Sequence, residues 1–414
     1  MRAIVLSIGD ELLCGDCVDT NSSWLCARFA ERGVQVCEVL QIPDDRKRIA
    51  DAFRSASGRC EVIVSTGGLG PTPDDLTSAG LADAVGDQLV RDETAVGWIR
   101  DRLISRGHGM IEAQATMGDR PTSAVLLRNA NGTAPIVHRA DDACRIWCLP
   151  GPPVEMRPAF EQYIAPELPP GRSLASQEVR CCGIIEADAA ALLGELIDRD
   201  RALPVGTRIS RGNFIATVHE EGPEADALLA DVAARLAPWA FGRNDEGPQH
   251  DVARMLLQAG QTLATAESCT GGWIGSSIVD VPGSSRWYRG GVVSYSNELK
   301  HRWLDVPMAR FEAGGPGAVS GEVARDMAAG IRTSTGSDWG VSVTGIAGPD
   351  GGTDLKPVGT VWIGVSSDGV NLARQFRFPG DRIAVRRRSV AYVMQCLRFA
   401  MLGATAPLAL EVKE

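Results

Sequence analysis

Val62-Ile63-Val64-Ser65-Thr66-Gly67-Gly68-Leu69-Gly70-Pro71-Thr72-Pro73-Asp74-Asp75-Leu76-Thr77 decides the fold of the first third of the chain. An apolar run of strand length ends in a Gly-rich turn and leads into a helical pattern. In an open α/β sheet, ligands sit at such carboxyl ends of strands. Upstream, Ala3-Ile4-Val5-Leu6-Ser7-Ile8 is a second apolar run. Between the two, positions 24, 25, 29 and 30 are apolar at helical spacing, with Gly33 as a natural stop. Val34–Leu40 alternates, and Ile49, Ala52 and Phe53 fit another helix. Strands alternating with helices predict a parallel, layered α/β domain over residues 1–168, punctuated by Pro169-Pro170-Gly171.

Composition sets the class. The 414 residues correspond to two or three domains at about 150 residues each. With 42 Lys plus Arg against 52 Asp plus Glu, the formal charge is −10, which argues against nucleic acid as a partner. No apolar run reaches about 18 residues, so no membrane span is expected. The N-terminal apolar stretch is interrupted by Asp10 and Glu11 and does not read as a secretory signal. Eleven scattered Cys read as free thiols of a cytoplasmic protein. Cys14-Gly15-Asp16-Cys17 is a lone CxxC without the second pair a structural zinc site needs. A homodimer is expected from base rates alone.

Residues 172–245 read as a small α+β module: strand Gln177–Cys182, helix Glu186–Ile197, two strands around Thr207–Val218, then a helix. The order resembles a KH-type fold, but no GxxG loop occurs to clamp a nucleic-acid backbone, so the module is taken as a spacer or dimer element. Gly242–Pro248 reads as a linker. A second α/β domain occupies 249–408.

In the first domain, Gly67, Gly68 and Gly70, with Thr72, let backbone N–H groups approach a phosphate or nucleotide. Asp74 and Asp75, with Asp10 after the first strand and Asp44 after the second, fit metal-assisted chemistry on a phosphate or pyrophosphate. The alternative is plain turn chemistry, with the Asp residues as helix caps. The segments GDELLCGDCVDTN (9–21), TGGLGPTPDDLT (66–77), NANGTAP (129–135) and LPGPPVEM (149–156) resemble the molybdopterin-binding fold family of MoaB/MogA type. More closely, they resemble the N-terminal half of the competence- and damage-inducible (CinA) family. That resemblance implies a metal-dependent ADP-ribose pyrophosphatase, with Mg, Co or Mn held at Asp10, Asp44 and Asp75 and with Asp74 adjacent. A non-catalytic nucleotide- or pterin-binding module is the alternative. The stretch Met110–Gly118 keeps Gln114-Ala115 but lacks the family's Asn, Lys and Pro, and GTAPG becomes Gly132-Thr133-Ala134-Pro135-Ile136.

In the last domain, a strand at Leu263–Thr265 runs into Ala266-Glu267-Ser268-Cys269-Thr270-Gly271-Gly272-Trp273. A nucleophile placed between a strand and a helix gains from the helix N-terminus, whose N–H groups stabilise a developing oxyanion. Ser268 and Cys269 are both candidates. The base is His301 or a lysine held neutral in a desolvated pocket. Lys300 comes after a strand at Val292–Tyr295, one helical turn beyond Ser296. Thr344 ends a third strand, ahead of the Gly-rich Gly345-Ile346-Ala347-Gly348. In a parallel sheet these strand ends converge on one cleft. Arg382, Arg386, Arg387 and Arg388 form a basic run, one member of which could hold a phosphate. The segments AESCTGGWIGSSIVDVPGSS (266–285), YSNELK (295–300), VTGIAGPDGG (343–352), KPVGTVWIG (356–364) and FPGDR (378–382) are similar to the nicotinamide mononucleotide (NMN) deamidase family, the CinA C-terminal domain. The resemblance implies amide hydrolysis of NMN to nicotinate mononucleotide and ammonia without a cofactor. Ser268 is then the nucleophile, Lys300 its base, and Tyr295 and Thr344 hydrogen-bonding supports. Cys269, Thr270, Gly271, Gly345, Gly348 and Arg382 are expected around the oxyanion and substrate.

Overall fold

The computed structural model describes residues 1–141, 143–168, 177–210, 212–243 and 246–412. The chain divides into two compact units, Met1–Ala175 and Ser176–Glu414. The Pro169-Pro170-Gly171 punctuation and the Asn244-Asp245 part of the expected linker lie outside the described residues.

The first unit is built on β1 (Arg2–Ile8), whose burial on both faces explains its unbroken apolar run. Ala3 and Val5 pack with Leu25 and Phe29 on one side; Ile4, Leu6 and Ile8 pack with Ile49 and Phe53 on the other. The further strands are β2 (Gln35–Ile42), β3 (Val62–Thr66), β4 (Leu89–Arg91), β5 (Asp119–Pro121), β6 (Val125–Leu127), β7 (Ile136–Ala140) and β8 (Arg145–Leu149). The main sheet has the order β2-β1-β3-β8-β7-β6. Strands β2, β1, β3 and β8 are parallel, as expected from the alternation. Strands β6 and β7 are antiparallel, so the sheet is mixed. From β1 the chain moves to one side to form β2 and to the other to form β3. That reversal opens a crevice beyond the carboxyl ends of β1 and β3.

The second unit carries two sheets. Strands β9 (Gln177–Cys182), β10 (Gly206–Ser210), β11 (Asn213–Val218) and β12 (Ala240–Arg243) form an antiparallel sheet ordered β10-β11-β9-β12. The expected order strand-helix-strand-strand-helix is therefore completed by β12, in a segment whose Gly and polar residues read as linker. This makes the module βαββαβ, a split βαβ arrangement. Phe214, Ala216 and Val218 bury one face of β11 against Leu229 and Val232. Gln395, on the long helix Arg382–Leu402, donates to the carbonyls of Cys182 (2.9 Å) and Trp239 (3.1 Å), tying the module to the rest of the unit.

The second sheet comprises β13 (Leu263–Glu267), β14 (Tyr288–Val293), β15 (Trp339–Gly345), β16 (Thr360–Ser366) and β17 (Asn371–Arg377), in the order β14-β13-β15-β16-β17. Strands β14, β13 and β15 are parallel, so the three strand ends singled out in the sequence do point the same way. Strands β16 and β17 are antiparallel. Strand order reverses at β13, just as it does at β1. Among the described residues no helix is long and apolar enough to cross a membrane, and all eleven cysteines are free.

Gly330, in the helix Gly321–Thr335, lies where an added Cβ would stand 2.0 Å from the carbonyl oxygen of Leu304. Leu304 ends the helix Asn297–Leu304. The neighbour is backbone and cannot swing away. Gly330→Val is expected to destabilise the chain by about 2 kcal/mol or more, as overpacking against a rigid wall does. Urea-unfolding midpoints of the two proteins measure it.

Candidate active site

Ser268 comes directly after β13 and is 8% exposed. Its amide donates to the Val343 carbonyl of the neighbouring strand at 3.1 Å, which fixes the residue at the sheet edge. Lys300 lies in the first turns of the helix Asn297–Leu304, whose N-cap Ser296 accepts from the Leu299 amide. Its side chain is 1% exposed, among the largest fully buried side chains in the molecule. Lys300 Nζ stands 3.1 Å from Ser268 Oγ. It also donates to the Ser294 carbonyl at 2.8 Å and the Tyr295 carbonyl at 3.4 Å.

This geometry suits a neutral amine. An uncharged –NH₂ has two N–H groups and one lone pair. The two carbonyls take the two N–H groups, and the lone pair is left for the Ser268 hydroxyl proton. Burial, the largest influence, lowers the Lys300 pKa from 10.5 to about 8, against the smaller opposing effects of Cys269 and Glu298. His301, the other candidate base, instead places its Nδ1 2.9 Å from the Val306 carbonyl oxygen. Cys269, the other candidate nucleophile, is buried, and its thiol pKa is pushed up to about 12 by that burial. It stays protonated and inert.

The helix N-terminus does not play the role expected of it. Glu267, the last residue of β13, is 2% exposed. Its carboxylate accepts from Thr270 Oγ1 (2.7 Å) and from the amides of Gly272 (2.9 Å), Ile274 (3.1 Å) and Gly275 (2.8 Å). The amides that open the helix Trp273–Val279 are thus already occupied by an anion of the protein itself. Among the described residues the Cys269 and Thr270 amides, ahead of the helix, donate to no backbone carbonyl. Gly271 and Gly272 take φ of +62° and +93°, which turns the loop back on itself. The Gly271 amide donates to the Ser268 carbonyl.

The remaining expected residues divide. Tyr295 lends its backbone carbonyl to Lys300, while its phenol is exposed and accepts from Arg382 Nη2 at 3.3 Å. Arg382 Nη1 donates to the Gly348 carbonyl at 2.9 Å, so Arg382, Tyr295 and the Gly345–Gly348 loop are linked. Gly345 ends β15, paired with Val361. The Thr344 hydroxyl, expected to support Ser268 or Lys300, donates to the Ala318 carbonyl at 2.8 Å and serves to pin that loop. Two contributors were not singled out in the sequence: Glu267, and Ser294, whose buried hydroxyl has no partner among the described residues. Arg386, expected only as one of a basic run, donates to the Thr270 carbonyl at 2.8 Å and lies over the Trp273 ring. Glu267 could have been noticed as a carboxylate closing a strand just ahead of a Gly-Gly turn.

In the first unit, a cavity of about 370 Å³ opens at the β1/β3 reversal, lined by Glu11, Asp44, Gly67–Gly70, Asp74, Asp75 and Glu155 among others. Of the four expected acidic residues, Asp44, Asp74 and Asp75 line it, whereas Asp10 is held against Asp44 and is not among the lining residues. Asp10 and Asp44 accept reciprocally from each other's amides, at 3.2 and 3.0 Å. Burial raises the Asp44 pKa, and the like charges of Asp10, Glu11 and Asp74 add to the effect against the Asp10 hydrogen bond. The phosphate cradle is a correction. The Gly67 amide donates to the Leu149 carbonyl, and the Gly70 and Thr72 amides donate to Asp75 at 2.7 and 2.8 Å. Asp75, also bonded by the Thr72 hydroxyl, shapes the loop, the turn role weighed against catalysis in the sequence. Gly67 is required there, since a Cβ would stand 2.1 Å from the Ile8 carbonyl oxygen. Among the described residues no three His, Cys, Asp or Glu side chains converge to hold a metal ion by themselves. Cys14 and Cys17 are exposed.

The sites and sheets define a two-part α/β protein, with a strand-order reversal at β1 in one unit and at β13 in the other. Residues 4–170 match the family model "Probable molybdopterin binding domain", and residues 245–401 match "CinA C-terminal domain". The chain belongs to the CinA family. The CinA-like proteins of Geobacter metallireducens and Geobacter sulfurreducens are each 38% identical to it, over 97% and 98% of this chain and 100% of theirs. Among solved structures, the protein CinA from Thermoplasma acidophilum is 33% identical, covering 39% of this chain and 94% of its own, with a TM-score of 0.37.

A lysine held near 8 in the fold but at 10.5 in the open chain makes the unfolded state the stronger proton binder between those values. Stability from this group therefore rises with pH across that window and is least below pH 8. Lys300→Met is expected to melt higher than wild type at pH 7, with the gap narrowing as pH approaches 10.5. Calorimetric melting temperatures across pH 7–10.5 measure it, and an unchanged gap would contradict a depressed Lys300.

Proposed function

We propose that this chain hydrolyses the carboxamide of NMN to nicotinate mononucleotide and ammonia, with Ser268 as nucleophile and Lys300 as base. The 3.1 Å contact between a buried hydroxyl and a buried amine carries the reading. Lys300 takes the Ser268 proton as Oγ bonds to the amide carbon. The Cys269 and Thr270 amides receive the developing oxyanion. The Lys300 ammonium then protonates the leaving nitrogen, ammonia departs, and water hydrolyses the acyl-serine through the same base. Arg382, between Gly348 and Tyr295, is the cation assigned to the mononucleotide phosphate.

Ser268→Ala is expected to lower NMN-dependent ammonia release at least about a hundredfold. Wild-type activity should persist in a chelator and rise with pH to a plateau above about 8, as the amine loses its proton. Full activity in Ser268→Ala, read by product chromatography, would reject the assignment.

A second reading rests on the acidic cavity of the first unit, as a divalent-cation-dependent ADP-ribose pyrophosphatase. With no three carboxylates converging among the described residues, the site suits a cation such as Mg²⁺, Co²⁺ or Mn²⁺ held by one or two of Glu11, Asp44 and Asp74 together with substrate oxygens. Such a cation, when bound, neutralises charge on the pyrophosphate. Asp44→Asn should lower ADP-ribose cleavage at least about tenfold while sparing NMN deamidation. If ADP-ribose survives intact with each cation, the unit binds without turnover.

A further inference from the structure

The guanidinium of Arg386 starts a chain of hydrogen bonds that the reaction scheme above does not use. Arg386 lies in the first turns of the helix Arg382–Leu402 and is half-buried. Its Nη2 donates to the Thr270 carbonyl at 2.8 Å, and its guanidinium carbon lies 5.1 Å from the centre of the Trp273 ring. Its Nε is buried and has no hydrogen-bond partner among the described residues. No carboxylate pairs with it among the described residues, although many arginines of this acidic chain hold one. The charge of Arg386 is thus left to the one carbonyl it meets.

That bond reaches further than the oxygen that accepts it. A carbonyl and the N–H of the following residue belong to one delocalised peptide group, so a donor on the oxygen draws electron density from the N–H as well. The Thr270 carbonyl shares its peptide group with the Gly271 amide, which donates to the Ser268 carbonyl at 3.1 Å. The Ser268 carbonyl shares its peptide group with the Cys269 amide, which donates to no backbone carbonyl among the described residues. Two linked peptide groups therefore join the guanidinium to a free donor next to Ser268. Burial dominates the Cys269 thiol, and Arg386 is one of the cations opposing it. Burial also dominates Lys300, with Cys269 and Glu298 opposing, and Arg386 is not among the groups acting on it.

We infer that Arg386 is a positioning residue for amide hydrolysis, polarising through two peptide groups the Cys269 N–H that meets the oxyanion. The inference rests on the Ser268–Lys300 reading and adds to it a residue that acts without touching the reacting atoms. A charged first bond is about twice as strong as a neutral one, and each bond in such a chain strengthens the next by about 10–30%. The gain falls where negative charge develops, so it lowers the barrier without tightening the bound substrate.

The test is steady-state kinetics of NMN deamidation as a function of pH for the full chain, Arg386→Ala and Arg386→Gln, with the melting temperature of each. Arg386→Ala should lower kcat about tenfold, less than the roughly hundredfold or more of deleting an oxyanion donor, with KM held within about twofold. The pH midpoint should stay at about 8, because the base is untouched. Arg386→Gln, which offers Thr270 a neutral donor, should fall between Arg386→Ala and wild type, and it reads the same effect if Arg386→Ala folds poorly. Added guanidinium, well below denaturing concentrations, should raise kcat of Arg386→Ala, while urea, of similar shape but uncharged, should not. Unchanged kcat in both variants, a rise in KM alone, a shifted pH midpoint, or no preference for guanidinium over urea overturns the inference. A wild type that leaves NMN intact removes the reading beneath it, and the inference falls with that reading.

Discussion

A lysine buried with no ion-pair partner among the described residues is the constraint on which the second unit depends. Charge at Lys300 Nζ would have to be stabilised by two carbonyls and a hydroxyl, too little to replace water. The fold resolves this by favouring the neutral amine, the form a base must have. The surrounding elements all serve to keep that side chain dry. Ser296 starts the helix that carries it, Gly330 lets a second helix close over that helix's end, and β14 stops at Val293 so that the next two carbonyls turn toward the amine. The depressed pKa costs stability, as the burial of an unpaired amine does.

Both units place their candidate chemistry by the same topological rule. Strands β1 and β13 each send their successors to opposite sides, the reversal at whose carboxyl end open α/β sheets place their ligands. The residues at that carboxyl end set the difference between the two. After β1 come Gly9, Asp10 and Glu11, and the crevice collects negative charge. After β13 come Ser268 and Cys269, and the Ser268 hydroxyl meets the buried amine of Lys300. One architecture thus suits a cation-bridged anion in one unit and an uncharged acyl acceptor in the other.

The periodic features were legible in the sequence. The apolar runs of β1 and β3 arise from burial on both faces, which leaves a local imprint. Ser268 and Lys300 were legible because each lies just beyond a strand end. The allocation of backbone amides could not be read. Gly67, Gly70 and Thr72 look like a phosphate cradle in one dimension; only in three does Asp75 reach back, and Leu149 across, to take their N–H groups. Strand β12 was hidden for a related reason: it is four residues long, and pairing with β9 outweighs its weak intrinsic preference. The same applies to Thr344, whose position beside Ser268 in the sheet says nothing of the Ala318 carbonyl that takes its proton.

Glu267 shows how the two electrostatic demands of the active site are kept apart. A buried carboxylate one residue before the nucleophile is a hazard, since an ion pair with Lys300 would hold the amine protonated and abolish its basicity. Four donors prevent that: the Thr270 hydroxyl and three amides at the start of the helix Trp273–Val279 satisfy the carboxylate where it stands. The amides at the helix terminus are therefore taken by a carboxylate of the protein itself, which leaves those of Cys269 and Thr270, one turn earlier, nearest to the Ser268 hydroxyl in the chain. The same arrangement makes the loop rigid. With Glu267 anchored to the helix and the Ser268 amide to Val343, Ser268 is held at both flanks, and its Oγ already stands 3.1 Å from Lys300 Nζ.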